Sequence, residues 1–273
     1  HTWLRRQRQM CIRDRSYLSY GGVLKVVRAD DDDLKNANAG VGIASTTTLK
    51  IKNYDDYSNN YDTATDFYWA AKNPGSWADN LKVCYIDDFA DQTLGITTTS
   101  LAGLGATVGM GITAAVTGVL PGSGTTSVFT GYVKGIITGA TDATDGNSKL
   151  DVKIVSRVSS AGVETEIDYA EGDGFASFDT SDSVYFTSDA GNVTAAQTPT
   201  SAVDWYDQQT LGLTNSVIYW KTLAPKPGTS VYVNDRQGKN DQLHIVVVDD
   251  TGDVTGIKGN ILEKHVDLSK ASD

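Results

Sequence analysis

Between residues 92 and 200 the chain repeats one pattern. A short run of β-branched and aromatic residues is followed by a cluster of Gly, Asp, Ser and Asn. SVFTGYVKGIIT and LDVKIVSRVSS are the clearest runs; GSG, DATDGNS, EGDG and SDAGN are the clusters. Branched and aromatic side chains suit a half-buried pleated surface, and the cluster residues tolerate the backbone of tight turns. Short strands at regular turn spacing predict a small all-β unit. The uncharged stretch from Gln92 to Val133 is rich in Gly, Thr and Ala rather than Leu and Ile, which argues against membrane insertion.

The flanks read differently. LHIVVVDD, residues 243–250, is a continuous apolar run of the kind found in a strand covered on both faces. Residues 81–86 read as a second such strand, with Leu81, Val83 and Tyr85 on one face and Cys84 and Ile86 on the other. Residues 16–33 read as a strand containing the Gly21-Gly22 pair. Residues 62–72, DTATDFYWAAK, suit a short helix capped by Asp62 or Thr63. Asn73-Pro74-Gly75 should stop it, because Pro disfavours helical geometry before it and Gly accepts positive φ. Trp77 then has a large apolar face to bury beneath that turn. VDWYDQQTLGLTN reads as a helical turn running into a loop, TGDVTGIKGN as a turn, and ILEKHVDLSK as an alternating strand.

The fold expected is α+β and β-rich. A discontinuous mixed α/β core, residues 16–95 and 201–273, carries an inserted small all-β domain, barrel- or sandwich-like, at 96–200. The strands near 81–86 and 243–250 flank the insert and should share one sheet. Forty per cent hydrophobic residues in 273 are enough for packed cores.

Charge is uneven. Seven of the 23 Lys and Arg fall in residues 1–28 beside one acid, Asp14, and the other 245 residues hold 33 of the 34 acids. A net charge of −11 argues against nucleic acid, since phosphate contacts need clustered Lys and Arg. RQRQMCIRDR, within residues 1–15, resembles translated sequencing-adapter DNA, so that segment is expected to be non-native and is set aside from the fold. Deleting it should leave stability unchanged.

Candidate chemistry is sparse. Cys11 and Cys84 form no disulfide framework and no metal-ligand spacing. His244 and His265 sit in strands and read as satisfied strand histidines; a Ser-His-Asp triad can be drawn in any chain this rich in Ser and Asp. GLGATVG lacks dinucleotide-fingerprint spacing. The run Asp30–Asp33 lacks the spaced ligands of a calcium loop. DDTGD at 249–253 is explained by a hairpin turn, and Asp87/Asp88 has only the composition of a carboxylate pair. No catalytic group, cofactor or metal is expected. The residues singled out are structural: Pro74, Gly75, Trp77, Leu81 and Val83.

NPGSWADNLKV closely resembles the NPGSWGNNLKV-like junction of contractile tail sheath proteins from T4-like bacteriophages, especially phages of marine cyanobacteria. YLSYGGVLKVVRAD, DWYDQQTLGL and RQGKNDQLHIVVVDDTGDVTGIKGNILEKHVDLSKA resemble the same family in the same order, and together they span most of the chain outside residues 1–15. Ala78-Asp79 departs from the Gly-Asn frequent there. The resemblance implies a structural virion subunit that stacks as hexameric rings around a tail tube and slides as a near-rigid body on contraction. Implied partners are other sheath subunits, the tail tube protein, and the baseplate and tail terminator proteins. The implied location is the phage tail, with assembly in the host cytoplasm. It also implies that the native N-terminal arm and the C-terminal domain lie outside this chain, and that the insert sits on the outer surface. The alternative is a carbohydrate-binding adhesin or tail-fibre-type β-module, suggested by the Thr/Gly/Ser-rich insert and its aromatics.

Overall fold

The computed structural model describes Ser19, Gly21 and residues 34–39, 49–62, 67–119, 128–167, 169, 177–187 and 196–271. Of the strand expected at 16–33 only Ser19, which is helical, and Gly21, in a turn with φ 78°, are described, and neither is extended. The Asp30–Asp33 run, the adapter-like residues 1–15, and the turn clusters GSG, EGDG and SDAGN lie outside the described residues. The chain divides into two compact units, His1–Asp79 and Asn80–Asp273.

In the first unit, β1 (Asn38–Ala39) pairs antiparallel with β2 (Trp69–Ala70). The helix expected over 62–72 is therefore not formed at its C-terminal end. Phe67-Tyr68-Trp69 carries β-favouring aromatics, and pairing with β1 satisfies that backbone. A helix instead precedes it: α1 (Tyr54–Asn60) is capped by the Asn53 side chain, which accepts from Asp56 N–H at 2.8 Å, with Asp55 and Asp56 in the first turn. Buried Asn36 ties three segments together. Its amide donates to Ala71 C=O (2.8 Å), its carbonyl oxygen accepts from Ile51 N–H (2.7 Å), and its own N–H donates to Leu49 C=O (2.8 Å).

Among its described residues the second unit holds two sheets and two hydrophobic cores with no member in common. Its strands are β3 (Leu81–Asp87), β4 (Gln92–Thr97), β5 (Gly111–Val119), β6 (Val128–Thr141), β7 (Asn147–Ser159), β8 (Glu164–Glu166), β9 (Val184–Thr187), β10 (Ser201–Asp204), β11 (Gln242–Asp249) and β12 (Asn260–Ser269). Seven form one antiparallel sheet in the order β10-β4-β7-β6-β5-β9, with β8 beside β7. Period-2 alternation places Leu150, Val152 and Ile154 of β7 inward, with Ile112 and Ala114 of β5, Val133 and Ile137 of β6, and Phe186 of β9. Gly135 sits at a register shift, where a Cβ would lie 2.9 Å from Lys153 C=O, so a side chain there would force β6 and β7 apart. Among the described residues β10 and β9 do not pair, so the sheet does not close into a barrel. Leu101, Ala106 and Phe178, from connecting segments, complete its core. The sheet runs from Gln92 to Asp204, wider than the 96–200 expected, because β10 returns to pair with β4.

The other sheet is β12-β11-β3. β11 pairs with β3 in unbroken register from Leu243↔Asp87 to Asp249↔Leu81, so the two strands expected to share a sheet do so across the intervening chain. Only one face of β3 is fully covered, where both were expected to be. Cys84 and Ile86 are buried, Leu81 and Val83 are half-buried, and Tyr85 is 68% exposed. Register decides this: Val246 and Val248, both fully buried, select whichever β3 residues lie opposite and alternate with them. Two short helices, α2 (Trp205–Gln208) and α3 (Val231–Asn234), follow β10. α2 is capped by Asp204, whose side chain accepts from Asp207 N–H, and it lays Trp205 and Tyr206 into the core with Trp220 and Leu211. The fold is thus β-rich with several sheets and short helices.

Candidate functional site

The sequence-predicted residues fall into both units. In the first, Gly75 has φ 128°, a conformation that glycine accepts freely, and its N–H donates to Lys35 C=O at 2.8 Å. Pro74 is buried. Trp77 lies in the 3-10 turn Ser76–Ala78 with its ring 44% exposed, so the expected burial beneath the turn is not found; Ala78 is the buried residue of that turn. A turn this short turns one side chain inward, and the small one takes that place. In the second unit, Leu81 and Val83 lie on β3 as described.

His244 is fully buried on β11 and fully used. Its Nε2 donates to Pro225 C=O (2.8 Å) and its Nδ1 accepts from Asp267 N–H (3.0 Å), an arrangement that fixes the proton on Nε2. Asp267 has φ 57° and lies at the register shift between Leu243 and Ile245, so the imidazole takes up a backbone N–H of the irregular stretch of β12. His265 is exposed beside Glu263. The Cys84 thiol donates to Leu211 C=O (3.2 Å), and burial pushes its pKa up, which keeps it a protonated core thiol.

The carboxylates of the DDTGD loop are taken up by protein donors. Asp249 accepts from Gly252, Val254 and Thr255 N–H, and Asp250 accepts from Thr214 N–H and Oγ1–H. Burial works against the charge on Asp249, but these donors outweigh it and hold the group below the usual carboxylate range. Asp87 meets Lys270 at 3.4 Å, whereas Asp88 points to different lysines, so the two acids do not converge.

Sequence reasoning missed the most concentrated polar cluster of the second unit. Asp88 and Asp91 lie in the link from β3 to β4. Lys153 projects from β7, and Lys226 from the segment after α2. The Lys153 ammonium lies 2.6 Å from Asp88 Oδ1 and 3.1 Å from Asp91 Oδ1; that of Lys226 lies 3.0 Å and 2.5 Å from the same atoms. Both carboxylates are nearly fully buried. The other Asp91 oxygen accepts from Ile154 N–H at 2.8 Å. Burial opposes the charge on Lys226, yet the carboxylates of Asp91 and Asp88 outweigh it and hold its pKa above the ordinary lysine value. Two positive and two negative groups balance, so the cluster joins chain segments. Beside it a cavity of about 560 Å³ separates β7 and β8 from residues 226–240. Nothing local marks these residues in sequence, because Asp91 and Lys226 are 135 positions apart.

Among the described residues no group of three or more His, Cys, Asp and Glu is placed to hold a metal ion, and no helix is long and apolar enough to cross a membrane. No protein-family model, curated protein or solved structure matches the chain.

Proposed function

We propose that the chain belongs to a contractile tail sheath subunit of a T4-like, cyanophage-type bacteriophage. Such subunits polymerise as hexameric rings around the tail tube and contract to drive the tube through the host envelope. One observation carries the reading. The sheath-like stretches within the second unit, far apart in sequence, build a single core. LKV of the NPGSWADNLKV junction lies on β3, DWYDQQTLGL supplies Trp205, Tyr206 and Leu211, and the long C-terminal stretch supplies β11 and β12. The Cys84–Leu211 hydrogen bond joins positions 127 residues apart. A core built from segments far apart in sequence is what a mechanical subunit requires, since it works by staying stiff while contacts between subunits change.

In this reading the seven-stranded sheet, residues 92–204, is the outer inserted domain, the residues from 16 to 91 and from 205 to 273 are the two parts of the sheath core, and residues 1–15 are non-native. The exposed Trp77 ring is a contact for a neighbouring subunit. Partners are other sheath subunits, the tail tube, and the baseplate and tail terminator proteins, within the virion tail. The alternative, a carbohydrate-binding β-module, draws on Tyr132 and Tyr185. These exposed rings share the outer face of the seven-stranded sheet, because Tyr132 lies opposite Ala115 and Tyr185 opposite Thr113. Recovery of the flanking DNA separates the two. A tail-tube reading frame directly downstream supports the sheath, and a fibre or adhesin cassette contradicts it.

A further inference from the structure

The two cores of the second unit meet across a seam made of polar contacts. The chain crosses it at residues 88–91, between β3 and β4, and between Asp204 and Trp205, where β10 runs into α2. The crossings lie side by side: Asp204 is in register with Gln92, and Trp205 N–H donates to Asp91 C=O at 2.9 Å. The Asp88/Asp91/Lys153/Lys226 cluster sits at the same place. On one side of it the seam opens into the cavity of about 560 Å³, with Asp88 and Asp91 at its floor. Its walls meet deep in the seam, where the Lys226 ammonium lies 5.6 Å from the centre of the Tyr169 ring, and at Glu166 on β8, which meets Lys239 at 2.6 Å, with both of these side chains about half exposed or more. Among the described residues no apolar cluster spans the seam. Two bodies joined by adjacent crossings and a polar interface move relative to one another unless a large apolar contact prevents it.

We infer that this seam is a charge-latched hinge: the seven-stranded sheet rocks on the three-stranded core about the Asp91–Trp205 crossing, with the buried cluster as pivot and Glu166–Lys239 as the latch that holds the cavity closed. The division of labour follows from exposure. The pivot charges are shielded from water and fixed by Ile154 N–H, so salt screens them little. The latch pair is exposed, and an ion pair of that kind adds only a small bias that salt removes. The structure shows the closed state. The inference is independent of the sheath assignment.

The test is a distance measurement across the cavity. Nitroxide labels are placed at Val163→Cys, in the turn before β8, and Val231→Cys, at the start of α3; both positions are exposed. Cys11→Ser removes one of the two thiols, and the other, Cys84, is buried. Pulsed electron double resonance is recorded at 0.1 M and 1 M salt, over which the screening length falls from about 10 Å to about 3 Å. The expected result is a dominant short distance at low salt and a second, longer one whose ratio to the first rises about fivefold at high salt, the full worth of an exposed pair. Glu166→Lys should produce the long distance at low salt, and Glu166→Lys with Lys239→Glu should restore the short one. A single unchanged distribution at both salts and in Glu166→Lys overturns the hinge. Failure of the charge swap to restore the short distance overturns the latch. If Glu166→Lys does not fold, the salt series on the labelled parent decides alone.

Discussion

Removing the Asp91 carboxylate should cost more than removing any exposed charge in the second unit. Asp91→Ala deletes the acceptor of Ile154 N–H at 2.8 Å and leaves the ammoniums of Lys153 and Lys226 sharing only Asp88. An orphaned buried N–H costs about 1–3 kcal/mol. Breaking a buried ion pair from one side costs about 3–5 kcal/mol. The two terms overlap, and both ammoniums border the cavity and can recover water, so the lower end applies: a loss of about 3 kcal/mol. Asp91→Asn keeps an acceptor for Ile154 N–H and should lose less. Lys270→Met, which breaks only the exposed contact with Asp87, should stay within about 0.5 kcal/mol of the parent. Urea unfolding of the three variants, with linear extrapolation, reads the differences directly. If Asp91→Ala falls within about 1 kcal/mol of Lys270→Met, the cluster is not what holds the seam, and the reasoning from burial and geometry fails.

Three further outcomes are expected. His244→Leu removes both partners of buried backbone groups, Pro225 C=O and Asp267 N–H, and should destabilise by about 2–4 kcal/mol in the same assay, whereas His265→Leu should be near neutral. Asp241, Asp249 and Asp250 all have depressed pKa values through hydrogen bonds from Ser269 and Ser230, from Thr255, Gly252 and Val254, and from Thr214. Their contribution is present above the unfolded carboxylate value and lost as pH falls through the folded ones, so the melting temperature should hold from pH 7 to about 5 and drop below about pH 4. A melting temperature that rises on acidification through that range would reverse the sign assigned to these groups. Replacing residues 98–198 by a short Gly/Ser linker should leave a folded three-stranded core, because Thr200 N–H already meets Gly95 C=O at 2.8 Å and the two hydrophobic cores share no residue. Aggregation or a non-cooperative melt of that variant would show one indivisible core.

What could be read from the sequence depended on how local the cause was. The run LHIVVVDD became β11 because continuous branched residues have few other uses, and SVFTGYVKGIIT and LDVKIVSRVSS became the hairpin β6–β7 because their alternation matches the pleat. Asp204 capping α2 and the DDTGD turn were equally local. The failures share a cause in long-range pairing. The residues after 66 carry a helix-like stop at Pro74, but β1 recruits them as a strand. The α1 helix had a local signal, Asn53 before two acids, that was passed over. The inward face of β3 was set by the register of β11, which arrives some 160 residues later, so period-2 reading gave the two faces without telling which is buried. The Asp88/Asp91/Lys153/Lys226 cluster had no signature at all: its members come from three segments, and each alone reads as a solvated charge.

The central claim, that this chain is part of a sheath subunit, meets its most direct test in electron microscopy. The reading frame, as the flanking DNA defines it, is expressed with and without the neighbouring tail tube protein. The account predicts stacked six-fold rings or long tubes, with the mass of the seven-stranded sheet at the outer radius. Discrete monomers or trimers under both conditions would contradict it.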